Sequence, residues 1–404
     1  MWLTRRLLAL PVRATEKFAK YASFSPTPLS LKTLAAFGKS PSSEIAKSTN
    51  FLRLELPVRF ANILQELHLL PKKLLETPSA FLVTSWYEET FMDLISFEDK
   101  DLTAKDCDDF LVVLDTALSR HATVVETMAS GVMEMREKHG EDPVINNQLQ
   151  YFLDRLFLMR ISIRMLASQH LLVFGPELNK HHRFVGCIDQ HCNVVHILQD
   201  AYDDAKLLCD HYYADSPELK ISLSNDVNGV IEFVYNAMRA VVEKGLKHKD
   251  DDYAPIEVLI VKGEHNVTIR VSDQGGGFPR ALNDQLFKYT YTTGGSRTGR
   301  SESHLSPSAG YAPIAGYGYG LPLSRLYARY LHGDLSLSGA EGYGTEAFVY
   351  LMSQAADADE YLPVFNRTSA RHYESVGIPI DDWIHRTGSP THEKRQQQQQ
   401  QHTS

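Results

Sequence analysis

The sequence predicts a chain in two parts: an N-terminal all-α helix bundle followed by an α+β domain. Three observations carry this. Apolar residues recur in long seams at helical spacing as far as about residue 213. Past Ser216-Pro217 the spacing turns to the alternation of strands. Glycine clusters gather in that second part, at 275–277 and 316–320.

At about 150 residues per domain, 404 residues make two to three domains. With 43% hydrophobic and 23% charged residues, the chain can build two cores and is no collagen, coiled coil or wholly disordered protein. Lys and Arg number 41 against 50 Asp and Glu, a net charge of −9, which argues against a general nucleic-acid binder. No run approaches about eighteen consecutive apolar residues, so no membrane-spanning helix is expected. Cys107, Cys187, Cys192 and Cys209 are too few and too irregular for a disulfide scaffold or a zinc site, and they fit a reducing compartment.

The elements follow in order. Arg5, Arg6 and Arg13 stand in an opening stretch without acids, so residues 1–20 are expected to be a mitochondrial transit peptide. Residues 21–213 form the bundle. Pro26, Pro28, Pro57, Pro71 and Pro78 are expected to divide its first part into short helices. One seam then runs from Phe110 through Leu114, Ala117, His121, Val124 and Met128 to Met135. A second joins Leu149, Phe152, Leu156, Met159, Ile163, Leu166 and His170, and a third runs from Val195 to Tyr212. Seams of this kind bury against one another. Residues 218–353 form the α+β domain. It opens on a helix at 226–245, continues as a hairpin of 256–262 and 266–272, and adds a helix near 320–331 and a hairpin of 334–338 and 345–352. Residues 390–404, with six glutamines at 396–401, are expected to be disordered.

Candidate chemistry lies in the second part. On the 226–245 helix, Asn228, Glu232 and Asn236 share a stripe, with Arg239 alongside. An Asn carbonyl can ligate Mg²⁺ and a carboxylate can take up a hydroxyl proton; a solvated polar face is the alternative. Asp273-Gln-Gly-Gly-Gly277 ends a strand, where the acid can accept a hydrogen bond from an exocyclic amine and glycines let backbone approach a flat ligand. A tight loop is the plainer reading. Gly316-Tyr317-Gly318-Tyr319-Gly320-Leu321 precedes a helix whose N–H groups can cradle phosphates. It is neither a Rossmann loop, since no strand precedes it, nor a Walker loop, since Gly-Lys-Ser/Thr is missing. The Gly- and Ser-rich segment 294–315 looks like a lid, with Thr292 and Thr293 at its base. Gly344-Thr345 comes last.

In that order the motifs resemble the N, G1, G2 and threonine boxes of the GHKL (Bergerat) ATP-binding fold. The stretches 151–156, 160–166, 200–209 and 232–240, together with Asp382-Trp383, resemble the mitochondrial pyruvate dehydrogenase kinases, and the likeness covers nearly the whole chain. It implies a serine protein kinase of the mitochondrial matrix, using ATP and Mg²⁺, that phosphorylates and inactivates the decarboxylase subunit of the pyruvate dehydrogenase complex. A kinase of the branched-chain 2-oxoacid dehydrogenase complex and an ATP-binding scaffold with weak kinase activity are the alternatives. Carried over, Glu232 is the general base, Asn236 the Mg²⁺ ligand and Asp273 the adenine-reading acid. Arg239, Gly277, Thr292, Thr293, Gly316 to Leu321 and Thr345 complete the ATP pocket. Tyr87, His121, Arg160 and Arg164 match an effector site for pyruvate-like inhibitors; surface arginines paired with bundle acids are the other reading. His121 is followed by Ala122 rather than an acid, which disfavours a phospho-accepting histidine.

The likeness further implies a homodimer that holds lipoyl domains of the acyltransferase core. A docking tail is expected over 354–389, with Tyr361, Leu362, Phe365 and the pair Asp382 and Trp383, and neither nucleic-acid binding nor membrane insertion is expected. Two positions depart from the family pattern. Asn228 stands where animal members often carry His, which bears on how Glu232 is activated. Leu118 stands where Arg is usual, which bears on sensitivity to pyruvate.

Overall fold

In the computed structural model the described residues are 12–36, 41–100, 102–140, 143–175, 184–189, 192–213, 216–224, 240–242, 244, 253–289, 291, 318–356 and 358–365. Helices α1 (Val12–Ala22), α2 (Leu31–Ala36), α3 (Pro41–Leu67), α4 (Lys72–Leu75), α5 (Pro78–Ile95), α6 (Ala104–Arg120), α7 (Val124–His139) and α8 (Pro143–Phe174) come first. A short hairpin, β1 (Phe184–Val185) and β2 (Ile188–Asp189), leads to α9 (Val194–Tyr213). Local chemistry sets several of these starts. The Thr77 hydroxyl accepts the N–H of Ala80 and Pro78 takes the first turn of α5, while Thr103 and Asp106 form a reciprocal capping box at α6.

Helix α8 packs on α3 and α6, and α5 packs on α3 and α7. By length and apolarity the stretch Ile145–Phe174 could cross a membrane, contrary to the reading from apolar runs. Two-thirds (67%) of its most apolar eighteen residues are buried, and the whole stretch carries Arg155, Arg160 and Arg164, as a core helix of the bundle does.

Three expectations for this half are corrected. Helix α3 runs straight through Pro57. A missing N–H inside a helix costs about 3 kcal/mol, and the burial of Leu56, Val58, Phe60, Ile63 and Leu64 outweighs it, at about 1.5–3 kcal/mol for each large side chain. The seam from Phe110 to Met135 is two helices, because a turn at His121 closes α6 before α7 begins. Three residues span nearly one helical turn, so the apolar stripe crosses the break without a change of phase. The expected leader, residues 1–20, overlaps α1. Phe18 packs edge-on against Phe91 at 5.9 Å, Lys17 pairs with Glu98 at 2.8 Å, and Lys20 bonds Glu98 too. Lys17 and Lys20 thus find their acids across the bundle.

The second half is a five-stranded sheet in the order β3-β4-β5-β7-β6. Both expected hairpins are present, β4 (Ile256–Lys262) with β5 (Asn266–Ser272) and β6 (Asp334–Ala340) with β7 (Gly344–Met352). Strand β3 (Leu219–Ser224) was not anticipated and pairs parallel to β4. Its alternation of Leu219, Ile221 and Leu223 with Lys220, Ser222 and Ser224 was the available signal. Val258, Ile260, Ile269, Val271 and Val349 bury one face against Leu198, Tyr202 and Cys209 of α9 and against Val241 and Val242. Helix α10 (Gly320–Tyr330) adds Ala328 to this core and also packs on α8, joining the two halves.

A buried ion pair closes the chain on itself. The Arg59 guanidinium, fully buried on α3, donates to both oxygens of Glu360 at 2.8 and 2.7 Å, to Glu55 at 3.2 Å, to the carbonyl of Thr27 at 2.8 Å and to the Ser162 hydroxyl. Glu360 also accepts the Tyr330 hydroxyl at 2.6 Å and the Leu29 N–H at 3.0 Å. Nearby backbone follows: Ser30 bridges Asp359, and the N–H of Leu31 donates to Ala358 at 3.1 Å. Further on, Arg155 holds Glu66 and also donates to the Val364 carbonyl at 3.0 Å. The tail expected to dock on a partner from residue 354 therefore packs on its own bundle as far as Phe365; Asp382 and Trp383 lie outside the described residues.

Arg59→Ala should lower the unfolding free energy by about 3–5 kcal/mol, since it leaves the Glu360 carboxylate buried without its cation. Urea denaturation followed by circular dichroism checks this; a loss below 1 kcal/mol would show that the pair is not what holds residues 358–361.

Candidate functional site

Asp273 sits where β5 ends, with its backbone paired to β7: its N–H donates to the Thr345 carbonyl at 2.9 Å. Its side chain is nearly buried. Oδ1 accepts the N–H of Gly275 at 2.8 Å and of Thr345 at 3.2 Å, which leaves Oδ2 without a partner among the described residues. Burial pushes the carboxyl above the usual carboxylate range, against those two N–H bonds and the field of Lys244. Lys244 itself donates to the Gln274 carbonyl at 2.8 Å. One oxygen is thus fixed by backbone and the other is open to a ligand's N–H.

The glycines here serve the fold. At φ +65° a Cβ on Gly277 would run into the carbonyls of Ala340 and Gly344, and one on Gly344 into the carbonyl of Asp273. The sequence suggested that the glycines at 275–277 let backbone approach a ligand. The structure assigns the requirement at 277 and 344 to the β6–β7 hairpin passing over the loop.

Gly318, at φ +74°, leads into Tyr319 and the first turn of α10. No side chain caps this helix, and the N–H groups of Gly320 and Leu321 have no partner among the described residues. Such N–H groups and the helix dipole favour an anion. The Tyr319 ring turns away, buried against Tyr289 at 5.1 Å and Phe157 at 6.1 Å, so it can offer a ligand only its backbone.

Tyr87, His121, Arg160 and Arg164 line one small cavity of about 20 Å³ between α3, α5, α6 and α8, together with Phe60, Thr90 and Leu118. His121 Nε2 lies 3.0 Å from the Thr90 hydroxyl and 3.2 Å from the Trp86 carbonyl, which assigns the proton to Nε2. Burial holds its pKa down at about 4, so the ring is neutral at physiological pH. Arg160 donates to the carbonyls of His121 and Ala122, both at 3.2 Å, while its Nε and the buried Tyr87 hydroxyl have no partner. Among the described residues neither Arg160 nor Arg164 pairs with an acid, contrary to the reading of surface arginines in ion pairs. A buried cation without a counter-ion is costly. A small carboxylate in the cavity would remove that cost.

The structure thus brings Asp273, Gly277 and Thr345 together, sets Gly318 to Leu321 at the start of α10, and gathers the four bundle residues around a cavity. Asn228, Glu232, Asn236, Arg239, Thr292, Thr293, Gly316 and Tyr317 lie outside the described residues. Thr90 and Lys244 were missed. Thr90 follows Tyr87 by three residues and so shares its helix face; nothing local marked Lys244.

The family model described as mitochondrial branched-chain alpha-ketoacid dehydrogenase kinase matches residues 28–189, and the one described as histidine kinase-, DNA gyrase B-, and HSP90-like ATPase matches residues 229–355. A mitochondrial [pyruvate dehydrogenase (acetyl-transferring)] kinase of Drosophila melanogaster is 43% identical over 90% of each chain. One from Ascaris suum is 42% identical over 98% of this chain and 100% of its own. Isozyme 4 of Rattus norvegicus is 42% identical over 92% and 91%.

Replacing Asp273 by Ala should weaken ATP binding by roughly ten- to a hundredfold, the worth of a hydrogen bond to a charged acceptor, without unfolding the chain. Calorimetric titration beside a thermal melt decides it, and unchanged affinity would remove Asp273 from the pocket.

Proposed function

The chain belongs to the mitochondrial pyruvate dehydrogenase kinases, and from that premise we propose that it transfers the terminal phosphate of ATP to a serine of the decarboxylase subunit of the pyruvate dehydrogenase complex and so inactivates that complex. The observation that carries this is the likeness to kinases of that name over almost their full length, joined to an ATPase domain whose acid, Asp273, keeps one oxygen open. That oxygen would accept the adenine amine, and the N–H groups of Gly320 and Leu321 would face the phosphates. Glu232 would take the proton from the acceptor hydroxyl, and Asn236, one turn away, would ligate Mg²⁺. Bound there, Mg²⁺ would screen the phosphate charge. With Asn228 in place of an imidazole, Glu232 would depend on its own surroundings for basicity.

The bundle cavity supports the effector reading: buried Arg160 for a carboxylate, and the Tyr87 hydroxyl for a carbonyl group. Leu118 lines it too, so it has one cation fewer than is usual in the family, and pyruvate should act weakly. The matrix is the place of action we propose, with residues ahead of α1 as the transit peptide. The name of the family model over residues 28–189 favours a second reading, the branched-chain complex as substrate.

Incubated with Mg²⁺, ATP and each purified complex in turn, the chain should place phosphate on a decarboxylase serine of the pyruvate complex, located by mass spectrometry. Phosphate on the branched-chain complex alone would reverse the choice. In the same assay Glu232→Gln should slow transfer by about 10²–10⁴-fold while nucleotide still binds, and pyruvate should slow the wild-type chain but not Arg160→Met.

For assembly we propose a homodimer that holds lipoyl domains through Asp382 and Trp383, an aromatic anchor of the kind that dominates interfaces. Ending the chain after Phe365 should weaken lipoyl-domain binding, whereas ending it after Ser389 should not. Equal binding by both, measured beside dimer mass, removes the docking role.

A further inference from the structure

Helix α8 presents Gln150, Asp154 and Phe157 toward the nucleotide-binding half. Gln150 reads the backbone of residues 287–289 from both sides, accepting the Tyr289 N–H at 3.0 Å and donating to the Phe287 carbonyl at 3.2 Å. One turn on, Asp154 accepts the Tyr289 hydroxyl at 2.8 Å. The Tyr289 ring packs on Tyr319 at 5.1 Å and on Phe157 at 5.7 Å, and Tyr319 is the residue from which α10 starts. Arg325 of α10 covers the Phe287 ring at 4.6 Å and holds Asp334 at 2.9 Å. The chain entering residues 290–317 and the chain leaving them are therefore both seated on α8.

The fold has no need of a carboxylate here. Asp154 is partly buried, and desolvation there pushes its pKa up to about 6 from 3.8. A group raised in this way adds stability at low pH and loses it as pH rises through the folded value, so ionised Asp154 weakens the fold at neutral pH. The groups that face it are Tyr289 from the 287–289 segment, the Gln150 amide on its own helix at 3.5 Å, and Arg325 and Arg329 from α10, which together favour the ionised form less strongly than burial opposes it. An amide would satisfy the Tyr289 hydroxyl without that loss. What the carboxylate adds is a stronger, charge-assisted bond to the phenol.

We propose that Asp154 is a positioning residue of the nucleotide site: it fixes Tyr289, whose ring fixes Tyr319 and with it the turn at 318–320 that offers N–H groups to phosphate. This rests on the ATP reading of the site. The test uses the full chain and calorimetric titration with ATP and Mg²⁺ from pH 5.5 to 8, with a thermal melt of each variant. Asp154→Ala should bind ATP about tenfold more weakly, the worth of one such bond. Asp154→Asn should regain most of that at pH 8, and its affinity relative to wild type should rise below pH 6, where the wild-type carboxylate takes up a proton. An Asp154→Ala chain that melts normally and binds ATP like wild type overturns the proposal. If Asp154→Ala fails to fold, Tyr289→Phe, which keeps the ring and loses the hydroxyl, decides the same point: weaker binding supports the proposal and unchanged binding overturns it. A wild-type chain that binds no ATP overturns the nucleotide reading itself, and this inference with it.

Discussion

Arg59 is the charge around which the described chain closes. A guanidinium with no water around it must find acceptors for its five N–H bonds, and Arg59 draws them from α3, α8, residue 27 and residue 360. Glu360 in turn ties in the last residue of α10 and the strand-like segment at 29–31. Pairs of this kind add little net stability, because desolvation consumes most of the attraction. They do exclude other arrangements. Residues 358–361 cannot leave the bundle without stranding a charge, and α10 cannot shift without breaking the Tyr330 bond.

Helix α8 is the wall between the two candidate sites. Arg160 faces the bundle cavity, and Asp154, about 9 Å away at 1.5 Å per residue, faces the nucleotide-binding half. One is a buried cation that pairs with no acid among the described residues, the other a partly buried acid. Both cost the fold something at neutral pH, and both stand where a ligand or a positioned loop would use them. The buried histidines act in the opposite sense to Asp154. His121 and His170 are held neutral, with pKa values near 4. Their contribution is complete above the unfolded value of about 6.5 and is lost as pH falls toward 4. The bundle is thus built for neutral imidazoles.

Much of the site was legible because its signals are local. Asp273 was marked by an acid at a strand end before glycines, and Gly318 to Leu321 by glycines ahead of a helix; one Asp273 oxygen and the N–H groups of Gly320 and Leu321 are without partners among the described residues. A further reason for the glycine at 277 was not legible, since a hairpin more than sixty residues further on passes over it and leaves no room for a Cβ. Tyr319 was counted with the pocket, yet its ring belongs to the junction with α8. Lys244 and Thr90 carried no signal strong enough to single them out, because each matters only through a partner distant in the chain.

Periods of 3.6 and 2 residues belong to neighbours along the chain, so the sequence by itself determined the long helix α8, the two hairpins, the change of architecture after residue 217 and the order of motifs that marks the family. Tertiary structure decided what depends on partners far apart. It carried α3 through Pro57, because burial on both sides outweighs one missing hydrogen bond. It divided the 110–135 seam, since a three-residue turn leaves the stripe in phase. It returned residues 358–365 to the bundle through an ion pair that spans 301 positions, and left Arg160 without an acid. Burial and charge pairing depend on distances in space, and a hydrophobic pattern along the chain holds no record of them.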